Sequence, residues 1–311
     1  MTVAQASPCT TPAPWLGENA GMIAFAPRTR TARHWFVLLL AFGLCQPGLA
    51  SAATTPRSQP SSQERTLSVA SLSLAGDRER WPERRDGVLA LLTRLRPDVI
   101  ALQDVLQAPD VPNQACWLAA RLGYGCNFIT ADPPSRPRRM GNALLTRHTV
   151  VADAVTLLHP FEMAGTAGMV QLELDGRPLD VYVTHLYPDD PQAPEDSAAI
   201  RAAQVRNLLR WIDVTSGDTP AVILGDMATA PEAAELKPFA ARYRNALASA
   251  GSAPIAPPPA CSGEQVFVQP PLRILSIRPI MAEPDAGADA AHGVFATVAL
   301  PAESAAAEPL N

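Results

Sequence analysis

The sequence predicts an α/β fold, and three features carry that expectation: apolar runs that stop at polar residues, helical periodicities between them, and a hairpin turn. The run Ala221-Val222-Ile223-Leu224-Gly225-Asp226 has the composition of a strand buried on both faces and stops at Gly-Asp. Leu179 to Thr184 repeats the design and is followed by His185. Between such runs, Trp81 to Leu95 places Val88, Leu91, Leu92 and Leu95 at three- and four-residue spacing, which is an amphipathic helix. Asp175-Gly176 joins Met169 to Leu174 with the Leu179 run as a hairpin.

The remaining elements follow in chain order. Residues 53–65 are Ser, Thr, Pro, Gln and Arg, a linker with no core-forming pattern, and the folded domain is expected over 66–300. A first strand runs from Leu67 to Leu74. Pro97-Asp98 stops the first helix, Val99 to Leu102 is the next strand, and Gln114 to Leu122 is a short helix closed by Gly123. Phe128 and Ala143 to Thr146 mark strands, and Ser197 to Ile212 is a long helix with Ile200, Val205, Leu208 and Ile212 on its buried face. Pro231 to Tyr243 is expected to be helical after its first residue, and Ala253 to Pro259 is a Pro-rich loop. Val266 to Val268, Arg273 to Ile277 and Val294 to Leu300 complete the strands, and the Ala- and Glu-rich residues 301–311 form a frayed tail.

The first 52 residues read as a leader. Arg28, Arg30 and Arg33 form a basic segment, Trp35 to Cys45 an apolar one, and Ala50-Ser51-Ala52 a small-residue cleavage site, with Met22 as an alternative start. The apolar run is shorter than the roughly 20 residues that span a bilayer, so export rather than anchoring is expected, to a periplasmic or secreted location. The chain carries a net charge of −5, more negative once the leader with its three Arg and one Glu is gone. That balance gives no strong nucleic-acid footprint, and a monomer without a stable membrane anchor after leader cleavage is expected. Cys116, Cys126 and Cys261 remain after cleavage; Cys116 and Cys126 are close enough to pair, which would leave Cys261 as a single thiol. No Cys-x-x-Cys spacing suggests a thiolate metal site.

Several polar groups end strands in an order that carries more information than any one of them. They are Asp98-Val99-Ile100-Ala101-Leu102-Gln103-Asp104-Val105, Gly141-Asn142-Ala143-Leu144-Leu145-Thr146-Arg147, the Thr184-His185-Leu186 run followed by Arg201 and Gln204, the Gly225-Asp226 turn, and His292. In this order they resemble the motifs of the endonuclease/exonuclease/phosphatase superfamily, over roughly Leu67 to Leu300. The resemblance implies a four-layer sandwich of two mixed β-sheets flanked by helices, and hydrolysis of a phosphodiester or phosphomonoester by in-line attack of water.

The resemblance implies a role for each residue. Asp226 would orient the attacking water, and His185 and His292 would contact the phosphate or handle protons. Asp104 stands where the family has Glu and would hold Mg²⁺ or Mn²⁺, hard cations suited to carboxylates, with Glu264 in place of a strand Asp. Asn142, Ser73 (in place of an Asn) and Arg139 would serve the substrate. Arg139 belongs to a loop with Arg136 and Arg138 that could equally be a solvated charged surface. Tyr187 stands where it would line a pocket, whereas His148 and His159 match no motif and are expected at the surface.

The chain departs from the family pattern at Ala228, where an Asn would bond the phosphate, and at Ala291, where an Asp would orient the imidazole of His292. Two function classes therefore stand side by side. One is an exported metal-dependent phosphoesterase of reduced or altered activity; the other is a catalytically inactive pseudoenzyme that serves as a secreted binding or scaffold module.

Overall fold

The computed structural model describes residues 65–76, 78–249, 263–282 and 291–301. The leader, most of the linker, the Ala253 to Pro259 loop, Cys261 and the residues after 301 lie outside them. Two six-stranded sheets stack face to face, as the resemblance implies. The first holds β1 (Thr66–Ser73), β2 (Val99–Gln107), β3 (Gly125–Ile129), β4 (Arg139–Thr146), β11 (Arg273–Ala282) and β12 (Ala291–Ala299), in the order β11-β12-β1-β2-β4-β3. The second holds β5 (Thr149–Leu157), β6 (Thr166–Leu174), β7 (Arg177–His185), β8 (Ala221–Asp226), β9 (Arg244–Asn245) and β10 (Glu264–Val268), in the order β5-β6-β7-β8-β10-β9. Both sheets are mixed, because β1 lies parallel to β2 and β7 parallel to β8 while the other pairs are antiparallel.

Alternation along the strands decides what each face buries. Leu67, Val69, Val99, Ala101 and Leu144 of the first sheet meet Val170, Val181, Val183, Val222 and Leu224 of the second in one dry core between the sheets. On the outer face of the first sheet, Ala70, Leu72, Ile100, Leu102 and Leu145 pack against α1 (Trp81–Leu95) and α2 (Gln114–Leu122). On the outer face of the second, Met169, Tyr182 and Ile223 pack against Val205, Leu208 and Ile212 of α3 (Pro194–Ser216). Among the described residues no helix is long and apolar enough to cross a membrane.

The helix ends follow local chemistry. Asn113 caps α2 by accepting from the Cys116 backbone N–H at 3.0 Å, and Gly123 closes it at φ 74°. Cys116, in the first turn of α2, is disulfide-bonded to Cys126 of β3, with Cα atoms 5.4 Å apart. At the foot of the first sheet, Asp98 accepts from the Ser68 N–H (2.8 Å), the Ser68 hydroxyl (2.6 Å), Arg147 Nε (3.1 Å), and lies 3.1 Å from His148 Nε2. Arg147, the last residue of the Gly-Asn motif, is thus a tether between β4 and β2. Burial pushes the Asp98 carboxyl up, and the Ser68, Arg147 and His148 bonds more than offset this, so it titrates below its ordinary value. Its stabilising effect is therefore present at neutral pH and lost as pH falls through that lowered value. Asp98→Ala is expected to cost about 2–4 kcal/mol, read as a lower urea midpoint at neutral pH.

Beside the short β9 and the longer ends of α3, three differences from the sequence reading have a plain origin. The segment expected as a helix from Pro231 to Tyr243 is a 3-10 segment over Ala234–Ala241, because Pro238 inside it has no N–H to donate. β5 is an additional strand, whose exposed residues Thr149, Val151, Ala152, Asp153 and Val155 hide the alternation a half-buried strand would show. β11 extends to Ala282, five residues past Ile277, as the edge partner of β12.

Candidate active site

One end of the sandwich carries nearly all the polar residues singled out from sequence. There β1 ends at Ser73, and β2 bulges after Leu102, so that Gln103 and Asp104 are skipped in its pairing with β4. β7 and β8 end in register, His185 beside Asp226, and β10 begins at Glu264 opposite Asp226. β12 begins at Ala291-His292, and its pairing of Gly293 with Leu72 places His292 one residue further, level with Ser73. Strands of both sheets thus deliver their polar termini to one rim.

The groups meet across the gap between the sheets. His185 Nδ1 of the second sheet lies 3.2 Å from Asp104 Oδ1 of the first, and its Nε2 lies 3.9 Å from Asp226 Oδ2. Burial pulls the His185 pKa down, but the Asp104 carboxylate, by charge and hydrogen bond, with Asp226 and Glu264 beyond it, pushes it up to about 10. The ring is an imidazolium between two carboxylates at neutral pH. Asp104 itself is raised by burial and lowered further by His185 and by the Ser73 hydroxyl, which donates to Oδ2 at 3.0 Å. Asp104 sits at φ 53°, a left-handed conformation in which Asp is among the residues most readily found.

Asp226 is positioned by backbone. Ala228 N–H donates to its Oδ1 at 2.7 Å, and burial pushes its carboxyl up despite the nearby imidazolium. A Cβ at Gly225 would lie 2.0 Å from the Thr184 carbonyl oxygen, so only glycine lets β7 and β8 close up beneath the pair. Gly263 has the same role on the other side, because a Cβ there would come 2.1 Å from Asp226 Oδ1. Ala228 lies at φ 51° with no side-chain amide to exploit that conformation. Ala228→Asn is expected to raise stability by about 0.5–1 kcal/mol in thermal unfolding, since Asn accepts the left-handed region more readily than Ala.

Glu264 departs from the sequence expectation of a cation ligand. It is 1% exposed and turned between the sheets. The Gln103 amide is satisfied in one orientation: its nitrogen donates to the Leu72 carbonyl (2.9 Å) and to Glu264 Oε1 (2.8 Å), and its oxygen accepts from the Ser71 hydroxyl (3.1 Å). That uses the one proton of Ser71, so the short contact between Ser71 Oγ and Glu264 Oε2 needs a proton from Glu264. Burial, with the Asp226 charge adding to it, holds the Glu264 carboxyl well above its ordinary range, in agreement with a neutral acid. Glu264→Gln is accordingly expected to leave the unfolding midpoint within about 1 kcal/mol of the wild type, whereas Glu264→Ala opens a cavity and orphans Gln103 and Ser71.

Asn142 stands elsewhere than a substrate role would put it. Asn142 is 3% exposed, and its amide donates to the Thr166 hydroxyl (3.2 Å) and carbonyl (3.4 Å), tying β4 to β6 across the core. The Arg139 guanidinium lies over the Phe128 ring, 5.2 Å from its centroid. Arg201 and Gln204 of α3 hold the chain just after His185. Arg201 donates to the Tyr187 carbonyl (3.2 Å), Asp189 (2.6 Å) and Glu235 (3.0 Å), and Gln204 Oε1 accepts from the Tyr187 N–H at 2.8 Å. Tyr187 is therefore fixed through its backbone. His159 is exposed as expected, while His148 is half-buried against Asp98.

Among the described residues no group of three or more His, Cys, Asp or Glu side chains is arranged to hold a metal ion. The Asp104 carboxylate with the Ser73 hydroxyl beside it nevertheless suits a hydrated Mg²⁺, which commonly takes one or two carboxylates and keeps several waters. Glu264, enclosed and protonated, does not belong to such a donor set.

Comparison with known proteins bears on the fold and the family. A profile of the Endonuclease/Exonuclease/phosphatase family matches residues 66–285, from β1 to just past β11. Among solved structures, an endonuclease/exonuclease/phosphatase from Bacteroides vulgatus superposes with a TM-score of 0.62 at 18% identity, covering 76% of this chain and all of its own. TDP2 of D. rerio in complex with a single-stranded DNA product gives 0.61 at 19% identity, covering 76% of this chain and 99% of its own. The human Nocturnin catalytic domain with a bound sulfate gives 0.60 at 20% identity, covering 78% and 100%. At these identities the likeness speaks for the fold alone. No curated protein sequence matches the chain. Since the family profile spans more than two thirds of the sequence and takes in every strand but β12, with the rim residues other than those of β12, the chain belongs to the endonuclease/exonuclease/phosphatase family.

Proposed function

We propose that the chain hydrolyses phosphoester bonds at this rim, as members of its family in general do. The observation that carries the reading is the convergence of Asp104, His185 and Asp226 from two sheets, at 3.2 and 3.9 Å, at one rim of the sandwich. Asp226 is the water-orienting carboxylate: its Oδ1 is fixed by Ala228 N–H, which leaves Oδ2 to face the ring and an incoming water. His185 holds positive charge where a phosphoryl group gathers negative charge, and Asp104 with Ser73 keeps the ring turned toward Asp226. His292, level with Ser73, is a second imidazole for the phosphate or the leaving oxygen. Mg²⁺ or Mn²⁺, held at Asp104, would neutralise phosphoryl charge when bound. Glu264 acts from beneath, as the acid that locks Ser71 and Gln103 under the site.

Export to the periplasm or the exterior belongs to the same proposal, supported by the basic, apolar and small-residue segments of the leader and by the Cys116–Cys126 disulfide. A second reading, a folded binding module without turnover, is favoured by one observation: Ala228 offers a methyl group where the family places an amide. Hydrolysis of an activated phosphodiester and an activated phosphomonoester by the purified protein, with Mg²⁺, Mn²⁺ or a chelator, separates the two. Metal-dependent turnover supports the hydrolase; folded protein without turnover on either ester leaves the binding module.

A further inference from the structure

Beside the rim lies a groove of about 310 Å³ that the reaction just described does not use. It is lined by His159 and Phe161 from the connection between β5 and β6, and by Ala203, Arg206, Asn207 and Arg210 of α3. Phe161 is 52% exposed, unusual for a phenyl ring, and His159 meets it edge-on with centroids 5.2 Å apart. Arg206 and Arg210 are exposed one helical turn apart, and neither is ion-paired among the described residues. Asn207 Oδ1 accepts from the His159 N–H at 3.1 Å, which fastens the connection to the helix.

The groove's position ties it to the site. Thr166, the first residue of β6, precedes Ala167, the register partner of Thr184, so the connection enters β6 at the end of the second sheet that carries His185. Its last residue, Gly165, packs against Gln204, the residue that holds the backbone of Tyr187. A ligand lying along α3 therefore runs beside the chain segment that follows His185.

We propose that this groove binds a nucleotide, with a phosphate on Arg206 and Arg210 and the base against Phe161 and His159. Two guanidinium groups one turn apart offer paired donors to phosphate oxygens, and an exposed phenyl ring gives a base a stacking surface. The chain as a whole is acidic, so an exposed pair of arginines flanked by aromatic rings is a local departure that suits an anionic aromatic ligand. A phosphate held by Arg206 and Arg210 lies in the groove and not at the rim, so the nucleotide is a ligand beside the reaction centre. Its binding is measurable without turnover.

The test is isothermal titration calorimetry of the full chain with adenosine 5′-monophosphate and, separately, inorganic phosphate, in chelator so that no cation recruits either to the rim. The wild type and Asp226→Asn are expected to bind the nucleotide equally. Arg206→Glu with Arg210→Glu is expected to weaken it at least about tenfold, and Phe161→Ala to weaken the nucleotide while leaving inorganic phosphate unchanged. All three positions are exposed, so circular dichroism should match the wild type. No nucleotide binding by the wild type, or binding indifferent to the arginine pair or to Phe161, overturns the proposal. Nucleotide binding in a protein that hydrolyses no phosphoester would sink the hydrolase reading and leave the groove standing.

Discussion

Asp226→Asn should lower phosphoester turnover by about 10²–10⁴-fold without lowering the thermal midpoint. The substitution keeps the shape and the bond from Ala228 N–H, so the β8 terminus stays in place. It removes the charge that faces His185 and the proton acceptor on Oδ2. Because burial already pushes this carboxyl up, losing the charge also removes a desolvation cost, and stability should hold or rise. Steady-state rates and differential scanning calorimetry on the same preparation check both halves. An unfolded variant would mean that Asp226 is a structural cap; an undiminished rate would mean that the chemistry lies elsewhere.

Asp180→Asn should stabilise the protein at neutral pH by about 1–3 kcal/mol and do little in acid. Asp180 is fully buried beneath α3; Gln171 donates to its Oδ1 at 2.9 Å, and its Oδ2 has no hydrogen-bond partner. Burial pushes its pKa from 3.8 to about 6, offset only in part by Gln171. The folded form therefore prefers the protonated acid. Stability from this group is complete below its unfolded value of 3.8 and is lost as pH rises through about 6. Asn copies the neutral acid and cannot ionise. Urea midpoints at about pH 4 and about pH 8 should show the variant gaining only at the higher pH; equal destabilisation at both would show that the carboxylate itself is required.

Most of the frame was legible in the chain because its signals are local. α1 and α2 fall on their predicted residues, since apolar spacing, Pro97 and Gly123 fix both ends within one turn of chain. The β7 and β8 termini were readable for a similar reason: a fully apolar strand has few places to end, and Gly-Asp or Thr-His is one. What failed has two causes, one in packing and one local. β5 is an exposed edge that shows no clean alternation, and Pro238 turned an expected helix into a 3-10 segment.

The site was legible in membership more than in role. Asp104, His185 and Asp226 converge as the motif order implied. Glu264 and Asn142 look like polar ends of strands in the sequence, yet each points between the sheets. Only the partner strand could reveal that, through Ser71 and Gln103 for one and Thr166 for the other. Ser71, a small polar residue inside an apolar strand, and Gln103, within the Leu-Gln-Asp motif, were the signals available. Gly263 carried none, because its need for a missing Cβ arises from Asp226 across the β8–β10 pair. The substitution of Asp for the family Glu at position 104 also has a local reason: the left-handed backbone of the β2 bulge favours the shorter acid.

The most direct measurement is hydrolysis of methyl 4-nitrophenyl phosphate by the purified protein in ¹⁸O-labelled water with Mg²⁺, with products read by mass spectrometry. Water attack at phosphorus predicts that the label enters methyl phosphate and is absent from 4-nitrophenol, at a rate that collapses in Asp226→Asn. Label in the nitrophenol, or no hydrolysis by protein shown to be folded, would contradict a phosphoesterase at this rim.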